Sequence, residues 1–186
     1  MTETEMKSII DEETYKRVKR AFNWDSVKEQ VNNYYTDENG ILREKRVMVR
    51  VRVIDGVSKL QVKLHKNAAS PLQICEETEY EIENAPEVID ADTARSITGM
   101  DVGELRKIGS AATLRRVKRH NGSELCLDMT TYFDKTDYEA EVEYEGKISA
   151  ELLMKLMNLG VTFDKNSVGK FARFLAEYEK QNNQNR

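Results

Sequence analysis

Val47-Met48-Val49-Arg50-Val51-Arg52-Val53-Ile54 runs into Asp55-Gly56, and Val57-Ser58-Lys59-Leu60-Gln61-Val62-Lys63-Leu64-His65 follows at once. Side chains alternate faces along an extended strand, so residues two apart point the same way. Val47, Val49, Val51 and Val53 then form one face and Arg50 and Arg52 the other; on the second run Leu60, Val62 and Leu64 oppose Gln61, Lys63 and His65. Asp-Gly between two alternating runs is a tight-turn signal, so the pair reads as an antiparallel hairpin with one aliphatic and one basic face.

The same period-two pattern predicts strands at about 2–9, 31–36, 46–54, 59–65, 75–82, 112–119, 124–132 and 138–144. Asp37-Glu38-Asn39-Gly40 and His120-Asn121-Gly122 supply further short polar links. Helical spacing predicts a helix over about 11–23, where Tyr15, Val18 and Phe22 share a face and Asp11, Glu12 and Glu13 suit the positive N-terminal end. The stretch at about 83–100 carries Pro86 and reads as a connector with a helical turn or two from Ala91 onward. Ser149 is placed to cap a helix containing Leu152, Leu153, Leu156 and Met157 that stops at Gly160, with the Met154 to Leu159 stripe as helix core. A last helix holds Phe171, Phe174, Leu175 and Tyr178, and the tail at about 181–186 is expected to fray. A length of 186 residues fits one domain over residues 1–186.

Charge distribution decides what the sheet encloses. Glu3, Glu5 and Lys7 share a face; Glu77, Glu79 and Glu81 oppose Thr78, Tyr80 and Ile82; Glu139, Glu141 and Glu143 oppose Tyr138, Ala140, Val142 and Tyr144. Asp128, Thr130 and Tyr132 oppose Leu125, Leu127 and Met129, and Thr113, Arg115 and Arg119 extend the pattern more loosely. An open sheet would turn such a face to water, where signs are ordinarily mixed; here whole strands are acidic and others basic. Eight strands are enough to close a small barrel and remove both edges. The expected fold is therefore α+β: an eight-stranded antiparallel β-barrel, or tunnel, lined with charge and flanked by α-helices. Clustered charge of this kind is costly when empty. A phosphate polyanion with hard cations offsets it, since Arg and Lys match phosphate oxygens and Glu oxygens suit Mg²⁺ or Mn²⁺.

Other chemistries have too few parts. With 29 basic and 33 acidic residues, no global field draws the chain to nucleic acid or membrane, and neither is expected as a partner. Two histidines and the two cysteines, Cys75 and Cys126, supply no triad or zinc site. The N-terminus lacks a secretory layout, which reads as cytoplasmic. A homodimer remains open.

Glu3-Thr4-Glu5-Met6-Lys7 resembles the Glu-x-Glu-x-Lys signature of the CYTH superfamily, the triphosphate tunnel metalloenzymes. Tyr34-Tyr35-Thr36, Arg50-Val51-Arg52, Leu60-Gln61-Val62-Lys63, Glu77-x-Glu79-x-Glu81 and Tyr138-Glu139-Ala140-Glu141 follow in that family's order, through about residue 180, and the chain is similar to its bacterial single-domain branch. The resemblance implies that Glu3, Glu5, Glu139 and Glu141, with Glu77, Glu79 and Asp128 on the acidic walls, hold Mg²⁺ or Mn²⁺. Lys7, Arg50, Arg52, Lys63, Arg115 and Arg119 would contact phosphates, and Glu5, Lys7 and Glu79 would be catalytic. Cys75 stands two residues before Glu77 where many relatives carry a basic residue, and Val117 interrupts the basic strand. The implied activity is metal-dependent hydrolysis of a small linear triphosphate, such as tripolyphosphate or thiamine triphosphate. Adenylyl cyclisation of ATP and catalytically silent polyphosphate or nucleotide binding are the alternatives.

Overall fold

The structure, a computed structural model, describes residues 2–65, 72–163 and 168–184, with the side chains at 2–4, 65, 72–75 and 184 left aside. Its elements run β1 (Thr2–Ile10), α1 (Glu12–Ala21), β2 (Ser26–Asp37), α2 (Ile41–Glu44), β3 (Val47–Ile54), β4 (Val57–His65), β5 (Leu72–Ile82) and β6 (Val88–Ile89). There follow α3 (Ala91–Thr98), β7 (Leu105–His120), β8 (Ser123–Tyr132), β9 (Lys135–Tyr144), α4 (Ala150–Asn158) and α5 (Lys170–Gln184).

Each expected strand is present, and several are longer than alternation alone suggested. Hydrogen-bonded neighbours follow the order β2-β3-β4-β5-β1-β9-β8-β7, with β6 added beyond β7. A long antiparallel register of β2 on β7, from Ser26 opposite Val117 to Asp37 opposite Leu105, joins the two ends. Eight strands thus close on themselves, leaving none of the eight with a free edge along its whole length. The hairpins are built by two-residue turns: Asp55-Gly56 between β3 and β4 and Asn121-Gly122 between β7 and β8 have positive φ at both positions. That geometry matches the right-handed strand twist and is why Asn, Asp and Gly stand there.

The aliphatic faces point outward beneath the helices. Tyr15 and Val18 of α1 and Leu152 and Leu156 of α4 pack with Leu125, Leu127, Ala140 and Val142. Asp11 accepts from Thr14 N at 2.7 Å to cap α1, and Ser149 accepts from Leu152 N at 3.3 Å to cap α4. On the other side Ala94 of α3 and Val102 cover Val47, Val49, Val51 and Leu60. Burying these aliphatic side chains, at about 1.5–3 kcal/mol each, holds the helices to the barrel wall.

Two expectations change. Of the Met154 to Leu159 stripe, Leu156 is core and Leu159 packs against it, but Met154 and Met157 face solvent, since they fall on the far side of the helix from the barrel. Of the tail at about 181–186, expected to fray, residues 181–184 continue α5, and the last two lie outside the described residues. No helix among the described residues is long and apolar enough to cross a membrane.

Candidate functional site in the barrel interior

A cavity of about 590 Å³ occupies the barrel between its walls and α5. Its walls follow from strand alternation: the residues that oppose the outward aliphatic rows point inward, and these are the charged ones.

The basic wall comes from β3, β4 and β7. Arg50 donates to Gln61 Oε1 at 2.7 Å and lies 3.7 Å from Glu77, while Lys63 lies 3.4 Å from Glu77. Arg52 differs. Its Nε donates to Asn32 Oδ1 at 3.0 Å, and no carboxylate lies within ion-pair distance of it among the described residues. Burial, with Arg50 and Arg115 close by, pulls its guanidinium down to about 9. A desolvated cation among other cations is an arrangement that favours an incoming anion.

The acidic wall comes from β1, β8 and β9. Lys7 Nζ sits 2.7 Å from Glu5 Oε1 and 4.0 Å from Glu141 Oε1. Arg115 grips Asp128 with two donors, at 2.9 and 2.7 Å, and also donates to Glu141. Burial alone would weaken each of these charges, but Asp128 and Glu141 hold the Arg115 guanidinium well above its ordinary range. Conversely, Lys170 and Arg115 outweigh burial at Glu141 and hold its carboxyl well below the usual value. Glu139 goes the other way: burial, reinforced by Glu141, pushes it up to about 7 although Lys170 and Arg173 both donate to it.

Glu5, Glu141 and Glu143 bring carboxylate oxygens within 4.8 Å of one another. Three hard oxygen donors at such spacing fit Mg²⁺ or Mn²⁺ and not a soft thiophilic metal.

Helix α5 closes one end. Phe174, fully buried, sets its ring at a tilt 4.8 Å from Tyr34 and 5.9 Å from Tyr132, with Phe171 5.1 Å from Tyr34. This apolar seal seats the start of the helix over the channel. Lys170 Nζ reaches Asp128 at 2.8 Å, Glu139 at 2.7 Å and Glu141 at 2.6 Å, and Arg173 reaches Asp137 and Glu139, each at 2.7 Å. At the rim Arg43 pairs with Glu179 of the same helix.

Of the residues singled out from sequence, Glu5, Lys7, Arg50, Arg52, Lys63, Glu77, Arg115 and Glu141 line this one cavity. Asp128 and Glu139 lie buried directly behind it in the Lys170 network. Glu79 is elsewhere: half-exposed on β5, it binds Lys59 at 2.8 Å and accepts from Gln61. Arg119 is likewise outside, because β7 is ending there; it is mostly exposed and pairs with Glu124 at 3.0 Å. The side chains of Glu3 and Cys75 lie outside the described ones, although the backbone pairs the two residues across β1 and β5. Tyr34 and Tyr132 are packing residues, in one apolar cluster with Phe174. Burial pushes the Cys126 thiol up, which leaves it unsuited to nucleophilic work. Sequence reasoning missed Lys170, Arg173 and the metal potential of Glu143; only Glu143 carried a local signal, its place in the acidic row of β9.

A model of the CYTH domain matches residues 1–175. YjbK of Bacillus subtilis, provisionally described as a triphosphatase, is 24% identical in an alignment of 178 positions that covers 91% of this chain and 93% of that protein. HpAC1 from Hippeastrum, named for an adenylyl cyclase and described as having a dominant triphosphatase activity, has a similar structure: TM-score 0.72, 21% identity, 94% of this chain and 96% of that one. A provisionally named adenylate cyclase from Bacillus halodurans has a TM-score of 0.68 at 20% identity over 91% of this chain and 95% of its own. At these identities the structural likeness speaks to fold, and the shared fold is the one whose interior has just been described. Since the family model extends from the Glu-x-Glu-x-Lys strand to the helix that caps the channel, this chain belongs to the CYTH family.

Proposed function

We propose that the protein hydrolyses a small linear triphosphate in the barrel interior, with Mg²⁺ or Mn²⁺ as cofactor. The observation that carries this reading is Arg52: a half-buried guanidinium that lines the cavity beside Arg50 and Arg115, with no carboxylate of its own among the described residues. Phosphate oxygens would supply the missing counter-charge. Arg50, Arg52, Lys63 and Arg115 would bind and orient the chain of phosphates, and Lys7 would bridge from the acidic wall. Glu5, Glu141 and Glu143 would hold the divalent cation, which when bound would neutralise charge on the phosphoryl oxygens. Glu79 and Arg119 have no part in this scheme, because neither lines the cavity.

In the reaction a water oxygen bonds to the terminal phosphorus as the anhydride P–O bond breaks. The departing diphosphate keeps the bonding electron pair, and the water's proton passes to solvent. The fixed cations stabilise charge that builds on the leaving oxygen, and the closed wall with its α5 seal limits bulk water. The names of YjbK and HpAC1 support the triphosphatase reading, and the shared naming for adenylyl cyclases keeps cyclisation of ATP as the second.

The test incubates the protein with tripolyphosphate, thiamine triphosphate or ATP, each with Mg²⁺ or Mn²⁺, and measures phosphate, pyrophosphate and cyclic AMP. Metal-dependent phosphate release that is lost in Glu5→Gln, with the fold retained, is expected. Cyclic AMP as the main product would replace the reading by cyclisation, and tight tripolyphosphate binding with no product would replace it by a binding role.

A further inference from the structure

A second recess lies on the outside of the barrel, between the end of α1, the β7–β8 hairpin and the first turns of α4. We propose that it is a separate site for a small phosphate anion, inorganic phosphate or pyrophosphate. The recess measures about 280 Å³ and shares no lining residue with the barrel cavity. Its volume suits one or two phosphate groups and is small for a nucleotide.

The charge balance within it is the main argument. In a chain of net charge −4, this recess gathers Arg20, Lys118, Lys155 and His120 against one lining carboxylate, Glu151. Following each partner leaves two cations over. Lys118 is matched by Asp25 at 2.7 Å, and His120 Nε2 faces Glu151 at 3.1 Å. Arg20 and Lys155 have no carboxylate within ion-pair distance among the described residues. They converge on one hollow instead of spreading over a solvated face, which is the arrangement that focuses an anion.

Placement adds to charge. The Lys155 ammonium stands 4.0 Å above the centroid of the Phe22 ring, a cation–π contact that holds it against the wall of the recess. Phe22 is itself fixed by Trp24, 5.6 Å away, whose indole donates to Lys19 O at 2.9 Å. Asn23 contributes an amide, and α4 turns its N-terminal end, the positive end of the helix dipole, toward the hollow through Glu151 and Leu152. A guanidinium, an ammonium, an amide and an imidazole around one hollow are donors suited to a phosphate's several oxygens. The proposal is independent of what the barrel interior does.

Proton–nitrogen correlation spectra of the whole chain, recorded during titration with pyrophosphate at constant ionic strength, test it. The backbone amides of Arg20–Asn23, Lys118–Asn121 and Glu151–Lys155 are expected to shift saturably, as a set separate from the amides of β3. The double substitution Arg20→Ala/Lys155→Ala removes two exposed side chains that have no carboxylate partner among the described residues, and with them the cation–π contact on Phe22. It should weaken the recess response about tenfold or more while leaving the shifts at Arg50 and Arg52 unchanged. The proposal is overturned if recess amides stay still while β3 amides move, if chloride at the same ionic strength moves them equally, or if the double substitution changes nothing.

Discussion

Lys170 Nζ lies 2.6 Å from Glu141 Oε1, and the same ammonium touches Glu139 and Asp128 at 2.7 and 2.8 Å. One amine from the capping helix therefore fills a nest of three buried carboxylates. Those carboxylates hold its charge, keeping it well above its ordinary pKa against the pull of burial. Replacing Lys170 by Met takes one cation from each of the three acids, leaving Arg115 to Asp128 and Glu141 and Arg173 to Glu139, and breaking a buried pair from one side costs about 3–5 kcal/mol. We expect K170M to melt well below the parent in chelator-containing buffer and to regain much of the difference in Mg²⁺ or Mn²⁺. Failure of either metal to restore the melting temperature would remove this nest from the cation sites.

Arg52 makes an opposite prediction. Its charge costs the empty barrel stability, because burial and neighbouring cations disfavour it. R52M should leave the ligand-free protein as stable as the parent, or more so by about 1 kcal/mol. Tripolyphosphate binding should weaken by about tenfold or more, the worth of a charge-assisted contact of roughly 1.5–3 kcal/mol. Denaturant unfolding and calorimetric titration read the two effects separately. A destabilised apo protein with unchanged binding would mean that the residue holds the wall and not the ligand.

The sign of the pH effect at Glu139 follows from its raised pKa. With the carboxyl moved up from 4.5 to about 7, the folded protein binds more protons than the unfolded chain between those values. The stability this group contributes is complete below about pH 4.5 and declines as pH rises through 7. Glu141 and Asp128, both depressed, oppose it: their contribution is lost as pH falls. Glu139→Gln isolates one side of this balance. Relative to the parent, E139Q should gain about 3 kcal/mol between pH 5 and pH 8, from roughly 1.36 kcal/mol per pKa unit. Urea unfolding in chelator at both pH values measures it, and parallel pH profiles would refute the assignment.

How much of this could be read from sequence depends on range. Alternation in Val47–Leu64 and in Tyr138–Tyr144 assigns a face to each residue, because strand period is a local property. Closure is not local: it rests on β2 pairing with β7 across some eighty positions of chain, and only the absence of any other sensible use for an all-charged face pointed to it. Arg119 shares the parity of Arg115 yet misses the cavity, since parity says nothing about where a strand ends. Lys170 and Arg173 were illegible for a related reason. The apolar stripe of Phe171, Phe174, Leu175 and Tyr178 announces a packed helix, but the partner that brings Lys170 into the channel and Arg173 onto the carboxylates behind it is the mouth of the barrel.

Gly109 controls how that helix seats. It lies at an irregularity in the β2–β7 register, with φ at +139°, and a Cβ there would come within 3.0 Å of Phe174 Cζ. Phe174 has no room to yield, being fully buried between Tyr34 and Tyr132. Gly109→Ala should therefore lose about 2–4 kcal/mol, combining overpacking with the strain of positive φ in a residue that carries a Cβ. The loss should concentrate at the cap, because the closed strand network does not depend on Phe174. Hydrogen exchange should speed up in the amides of α5 while those of β8 and β9 stay protected. Lys170 would then spend less time in the channel, and tripolyphosphate binding should weaken with it. Uniform acceleration through every strand would instead show that the cap and the barrel unfold as one unit.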